Sequence, residues 1–433
     1  MGSFFGLLFA PKMLCFLQDM TSILNVIFYV LTFLSVYVQV FFFVTFLENR
    51  KKIVIRNGKI KLASYPSVTI VVPCWNEEET VAKTVHSLLD LDYPKDKIKI
   101  FLINDGSTDD TKNVINKFTE FPNIKVFHKE NGGKFTALNL GLEKSETDFF
   151  GCLDADSFVD SDALVRIMSY FEKDSMTMAV APAVVVHNPI SIVQMAQQTD
   201  YNMGIFFKKM LGFLGAINVT PGPFTIFRKK VFNDLGPYKH AHSTEDMEIA
   251  YRMQKHNYKI ENCNDAFVYT NTPETIKKLY KQRLRWIYGF LNNTLDYRSV
   301  LFKKKYGNFA FFTLPMGVIS IFSVSYLFGK IVYNVGHFFY FKVLQWRAIG
   351  FDFGISNFNF DPFFINTESF VFLLVVVYVL VMFAILFGRK MAQEKNVFSL
   401  SVLYFFPIFG IIAPLWFLKA IYNTILSRKP SWR

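Results

Sequence analysis

Six short stretches combine residue types that could bind a nucleotide, hold a cation or move a proton. Asp154-Ala155-Asp156 sets two carboxylates two positions apart at the end of the apolar run 149–153. On a strand, side chains two apart share a face, and like charges crowded at a buried strand end are costly without a cation. A hard divalent ion, Mg2+ or Mn2+, bound by oxygens and shared with a diphosphate, would supply one. Asp105, at the end of a second apolar run and followed by Gly106-Ser107, could accept hydrogen bonds from a base or ribose, although Asp-Gly-Ser is also ordinary turn chemistry. Asn76 and Glu77 stand where the run 67–72 meets a polar turn, a place to meet a nucleotide, and N-capping by Asn76 explains them equally. Asn131-Gly132-Gly133-Lys134 offers backbone amides and one cation to a phosphate, or is a plain loop. In Ser243-Thr244-Glu245-Asp246, before a helical pattern, a carboxylate could deprotonate an acceptor hydroxyl, with helix capping as the bland alternative. Lys281-Gln282-Arg283-Leu284-Arg285-Trp286 is basic and amphipathic and could simply anchor a helix at a membrane surface.

Such side chains need elements to place them. Between residue 65 and about residue 296, short β-branched runs at 67–72, 98–103, 124–127, 149–154 and 178–186 alternate with helical patterns at 78–89, 109–119 and 134–143. That alternation predicts an α/β fold with a largely parallel sheet and ligands at the carboxyl ends of its strands.

On both sides of this region the chain is apolar. Of its 433 residues 52% are hydrophobic, 51 are Phe and only 19% are charged, too apolar for a surface wholly in water. The run 23–47 exceeds the roughly 20 residues that a spanning helix requires, and Arg50-Lys51-Lys52 after it place the following domain on the cytoplasmic side. Residues 4–17 read as an interfacial helix, without the small-residue cleavage site of a signal peptide. Further apolar runs cover 309–341, 370–388 and 397–425, and Pro407 and Pro414 are expected to fold the last into a helical hairpin. The expected organisation is 1–52 interfacial segment and transmembrane helix, 53–300 cytoplasmic domain, and 301–433 C-terminal transmembrane region with a basic tail. The net charge of +12 gathers beside the apolar runs, as at Lys303-Lys304-Lys305 and Arg389-Lys390, which speaks for membrane lipids and against nucleic acid as partner. Four cysteines without a CxxC pair exclude a structural zinc site and a disulfide framework.

The order of these motifs resembles glycosyltransferase family 2, above all the processive membrane synthases of hyaluronan, chitin, cellulose and poly-N-acetylglucosamine. Asp105 falls on the first nucleotide-binding Asp, Asp154-Ala155-Asp156 on the DxD element, Thr244-Glu245-Asp246 on TED, and Gln282-Arg283-Leu284-Arg285-Trp286 on QxxRW. The resemblance covers most of the chain and implies a GT-A, Rossmann-like fold with flanking transmembrane and interfacial helices. It implies an inverting enzyme at the cell membrane that uses a UDP-sugar and Mg2+ or Mn2+. Asp156 would hold the metal, and Asp246 would be the catalytic base. Asn76, Glu77, Asp105, Lys134, Asp154, Gln282, Arg283, Arg285 and Trp286 would bind the nucleotide sugar, with Gly222, Glu245 and Trp286 near the acceptor. The stretch 219–228 has Pro221 where many relatives have Ser or Thr before the glycine, a departure at the acceptor contacts. Chain length, the single long N-terminal span and the Trp-containing tail look most like the bacterial poly-β-1,6-N-acetylglucosamine synthases. The acceptor would be a growing polysaccharide, alternatively a lipid-linked glycan, with export proteins as possible partners. A non-catalytic membrane scaffold is the alternative of another class, which the intact motif carboxylates oppose.

Overall fold

The computed structural model describes residues 6–53, 58–350, 369–396 and 399–430, with only the backbone course for 6–25. It divides into two units, one of Met1–Phe43 with Gly317–Met382 and a larger one of Val44–Met316 with Phe383–Arg433. All of the candidate chemistry lies in the larger unit.

The strands are β1 (Val68–Cys74), β2 (Ile98–Asp105), β3 (Ile124–Lys129), β4 (Phe149–Cys152), β5 (Ser157–Val159), β6 (Thr177–Val186), β7 (Ile226–Arg228) and β8 (Lys259–Thr270). The helices are α1 (Gly6–Asn49), α2 (Val81–Leu89), α3 (Thr111–Asn116), α4 (Lys134–Lys144), α5 (Ala163–Lys173), α6 (Ile192–Phe213), α7 (Lys230–Leu235), α8 (Glu245–Lys255), α9 (Ile276–Asp296), α10 (Leu314–Ile349), α11 (Ser369–Met391) and α12 (Leu400–Ile425).

The strands form one mixed sheet in the order β3-β2-β1-β4-β7-β6-β8-β5. Alternate residues of β1 and β2 serve opposite cores: Val68, Ile70, Val72, Ile100 and Leu102 pack with α2 and α5, and Val71, Phe101 and Ile103 pack with α4 and α8. Burial on both faces explains why these strands read as continuous apolar runs. The β3-β2-β1-β4 half is parallel as expected. In the other half β6 and β8 are parallel to each other, whereas β7 runs antiparallel to β4 and β6, and β5 to β8. These two strands have three residues each, too few for a period of two to register.

By length and composition, three segments among the described residues could cross a membrane: Val26–Lys52, Phe309–Ala348 and Leu400–Ile425. The segment expected to lie in the interface, 4–17, begins outside the described residues and then forms the start of α1, which continues unbroken into the apolar run. The expected hairpin in the last run is corrected, because α12 is one helix through Pro407 and Pro414. Each proline removes one N–H, but the remaining backbone bonds of so apolar a helix have no better partners than each other. Pro414 and Trp416 are buried where α12 packs along α6 and α9.

Candidate active site

Every candidate group except Gly222, Glu245, Asp246 and those of α9 lies just at or beyond the carboxyl end of a strand or in the helix start that follows one, while Glu245 and Asp246 open α8, which follows α7. At the end of β1, Asn76 adopts φ +54 and does not cap α2, whose N-cap position is Thr80. Its Oδ1 instead accepts the Thr108 amide at 2.8 Å, and its own amide donates to Ser107 Oγ at 3.1 Å, tying the β1 and β2 ends together. Glu77 accepts from Thr80 Oγ1 at 2.8 Å. The Asp105 carboxylate is buried and accepts the Gly132 and Gly133 amides at 3.0 and 2.9 Å and Lys129 Nζ at 2.5 Å. It therefore fixes the glycine loop that precedes α4.

Lys134, the first residue of α4, is directed into the site. Its ammonium lies 2.5 Å from Asp154 Oδ1 and 3.5 Å from Glu245 Oε1. Burial alone would lower this ammonium, yet Asp154 and Glu245 together hold it well above the usual lysine range. Asp154 and Asp156 do not continue β4. The strand stops at Cys152, and the Ser157 amide closes a turn on Asp154 O at 3.0 Å, so alternation along a strand is not what pairs them. They are close nonetheless: burial first, then Asp154 and Glu77, push the Asp156 carboxyl up to about 7. Gly222 closes this corner. A Cβ there would stand 2.6 Å from Lys134 Nζ and 3.1 Å from both Asp154 oxygens, so a side chain would displace this ion pair. Pro221 contributes its carbonyl, which accepts from Thr225 Oγ1 at 2.6 Å.

Asp246 sits in the first turn of α8, its Oδ1 accepting the Met247 amide at 2.9 Å, while the Asp246 carbonyl accepts Thr220 Oγ1 at 2.8 Å. Burial and the neighbouring Glu245 raise its carboxyl to about 6, against the lowering pull of Lys134 and Arg285. That value suits a base working near neutrality. From α9, Arg285 Nη1 reaches Ser243 O at 3.3 Å. Arg283 pairs with Asp200 at 2.7 Å and lies 4.5 Å from the Trp286 ring centroid, with Tyr201 and Phe409 on its other sides. Gln282 Oε1 is buried and makes no hydrogen bond among the described residues. α9 can approach the start of α8 because it has Gly289, where a Cβ would lie 2.4 Å from Thr244 Oγ1.

The donor set fits a divalent cation shared with phosphate. Asp154 and Asp156 are hard oxygen donors whose repulsion is only partly offset by Lys134, which is shared between Asp154 and Glu245. Among the described residues no three His, Cys, Asp or Glu side chains converge to hold an ion alone.

Three groups escaped the sequence reading, all on α6: Asp200 and Tyr201 beside Arg283, and Lys208, whose ammonium burial lowers to about 8 and Asp246 partly restores. The only signal was Lys208-Lys209 after the apolar stretch Ile205-Phe206-Phe207.

The family model "Glycosyl transferase family 2" matches residues 69–236. The chain is 29% identical over 343 residues to the poly-beta-1,6-N-acetyl-D-glucosamine synthase of Staphylococcus epidermidis, covering 78% of this chain and 79% of that one. It is 34% identical over 232 residues to the synthase of the same name from Staphylococcus aureus strain COL, covering 53% and 56%. Among solved structures it resembles the mannosyltransferase of Pyrobaculum calidifontis in complex with GDP-Man and Mn2+, with a TM-score of 0.58, 15% identity, and 92% of this chain and 99% of that one covered. The mixed sheet with helices on both faces is thus a GT-A fold, and residues 69–236 form a glycosyltransferase family 2 domain.

Proposed function

We propose that the protein is a membrane-embedded, inverting β-glycosyltransferase that moves N-acetylglucosamine from its UDP donor to a growing polysaccharide. The observation that carries this reading is the position of Asp246: half-buried, raised to about 6, and flanked by Lys134 and Arg285. Deprotonated, its carboxylate takes the proton of an acceptor hydroxyl as that oxygen attacks the anomeric carbon. The bond from that carbon to the diphosphate oxygen breaks on the opposite face, so the configuration inverts and UDP leaves with the electron pair.

Asp156, with Asp154 beside it, would hold Mg2+ or Mn2+, which when bound stabilises negative charge on the diphosphate. Lys134 and Arg285 supply fixed positive charge near the same atoms, and such preorganised charge is the larger part of many catalytic effects. Gly222 lets its loop come closer to Asp154 and Lys134 than a side chain would allow. Trp286, with Arg283 and Gln282, would bind the acceptor end and the diphosphate. The apolar helices and the basic residues after α1 support a multi-pass protein of the cell membrane with residues 53–300 in the cytoplasm. The choice of N-acetylglucosamine rests on the two staphylococcal relatives.

The test is UDP release by the purified protein offered UDP-N-acetylglucosamine, UDP-glucose and UDP-glucuronic acid, singly and in pairs, with Mg2+ or Mn2+. Release from N-acetylglucosamine alone that disappears in Asp246→Asn is the expected result. Release that persists in Asp246→Asn would remove the base assignment, and preference for another donor would remove the sugar.

A further inference from the structure

The larger unit contains a second cavity, of about 420 Å³, that shares no lining residue with the site above. Its walls carry Lys239, Lys255 and Lys429 together with His240 and His242. Two carboxylates also face it, and both are engaged. Glu248 is held by Arg252 at 2.5 Å and by the Tyr297 hydroxyl at 2.6 Å, with Lys239 at 3.7 Å, and Asp296 is held by His242 at 2.8 Å. Three lysines and Arg252 thus stand against two carboxylates, a local excess of positive charge. Asn293, fully buried, also lines the cavity. Its Nδ2 donates to Thr244 Oγ1 at 2.8 Å and to Gly289 O at 2.9 Å, while its Oδ1 has no hydrogen-bond partner among the described residues. A buried acceptor of this kind needs a hydroxyl or N–H.

The cavity also touches the machinery that holds the base. Ala241 and His242 in its wall belong to a run of three non-glycine residues at positive φ, Ala241, His242 and Ser243, with φ of 40, 54 and 62. Such a left-handed run after His240, whose backbone is right-handed helical, is strained, and the Ser243 and Thr244 amides close it by donating to His240 O and Ala241 O at 3.0 Å each. Ser243 then accepts Arg285, and Thr244, gripped by Asn293, leads into Glu245 and Asp246.

We propose that this cavity binds a phosphate ester carrying a free hydroxyl, and that binding stiffens the loop holding Asp246. The lysines take the phosphate, and Asn293 Oδ1 takes the hydroxyl. Lys429 lies four residues beyond α12, one of the segments apolar enough to span a membrane, so the ester has two possible sources: a soluble glycerol or sugar phosphate, or a phosphatidylglycerol headgroup.

The experiment measures amide hydrogen exchange across 239–246 in the full chain. The protein in phosphatidylcholine nanodiscs is titrated with glycerol 3-phosphate, and a second sample is placed in discs that also contain phosphatidylglycerol. The expected result is exchange slowed about tenfold or more in this segment, a local rather than global change. It is absent from the triple variant Lys239→Glu, Lys255→Glu, Lys429→Glu, whose melting temperature and exchange elsewhere are unchanged. Protection by glycerol 3-phosphate assigns a soluble ligand, and protection only in the phosphatidylglycerol discs assigns the headgroup. No protection from either, or equal protection in the triple variant, overturns the proposal. Exchange is read without turnover, so either failure leaves the glycosyltransferase reading as it stands.

Discussion

Asp246 and Asp156 are both carboxyls held above their usual range, for different ends. A base must be ionised, so turnover should rise with pH through about 6, the value to which burial and Glu245 bring Asp246. The acid limb of kcat/KM against pH checks this, and Asp246→Asn is expected to lower kcat by about 10²–10⁴-fold. For stability the sign is the reverse. A carboxyl raised in the folded state favours folding while protonated, so this contribution is complete below the usual carboxylate range and is lost as pH rises through about 6 for Asp246 and about 7 for Asp156. At pH 8 the ionised Asp156, crowded by Asp154 and Glu77, therefore destabilises the chain until a cation arrives. Asp156→Asn should raise the melting temperature in chelator and abolish the further rise that Mn2+ gives the unaltered protein. An equal Mn2+ response in both would remove Asp156 as a ligand.

At the scale of elements, what positions Asp246 is the contact between α9 and the start of α8. Gly289→Ala would push a methyl to 2.4 Å from Thr244 Oγ1, so the loop must move. Small displacements of a catalytic group cost heavily in orientation. The variant is expected to bind UDP nearly normally, by calorimetry, and to lose about tenfold or more in kcat. The carboxylates themselves were legible from sequence because they end apolar runs, and the five predicted strands all form, each to within two residues at either end. Three things were not legible. Strands as short as β5 and β7 carry no periodicity, so the antiparallel pairings were missed, and the twelve-residue β8 was missed too because Glu261, Asn262, Asn264 and Asp265 interrupt its apolar pattern. The turn after Cys152 looks like more strand, although it pairs Asp154 with Asp156 through a bend. Asn76 looks like a helix cap, but the partner that claims it, Thr108, is 32 residues away in sequence. Contacts of that separation leave no local pattern, and the same holds for Asp200 and Tyr201 beside Arg283.

Across the whole molecule, the catalytic helices are fastened to the chain's apolar C-terminal part. Glu394, between α11 and α12, accepts Gln198 at 2.8 Å and Asn202 at 3.2 Å from α6, the helix that also carries Asp200, Tyr201 and Lys208. Glu394→Ala strands both donors, which costs about 1–3 kcal/mol for buried groups, and should appear as faster amide exchange in α6 together with reduced turnover. This contact ties α6 to the segment between α11 and α12. Proline did not break α12, because its burial against α6 and α9 and the lack of alternative backbone partners outweigh the local preference. The central claim is that this site builds a β-linked polymer by repeated inverting transfer. Its most direct test is the product that the purified protein makes from UDP-N-acetylglucosamine, with length read by mass spectrometry and anomeric configuration by NMR. A ladder of β-linked N-acetylglucosamine chains is the predicted result, whereas a single addition to a lipid, or α-linked product, would contradict the account.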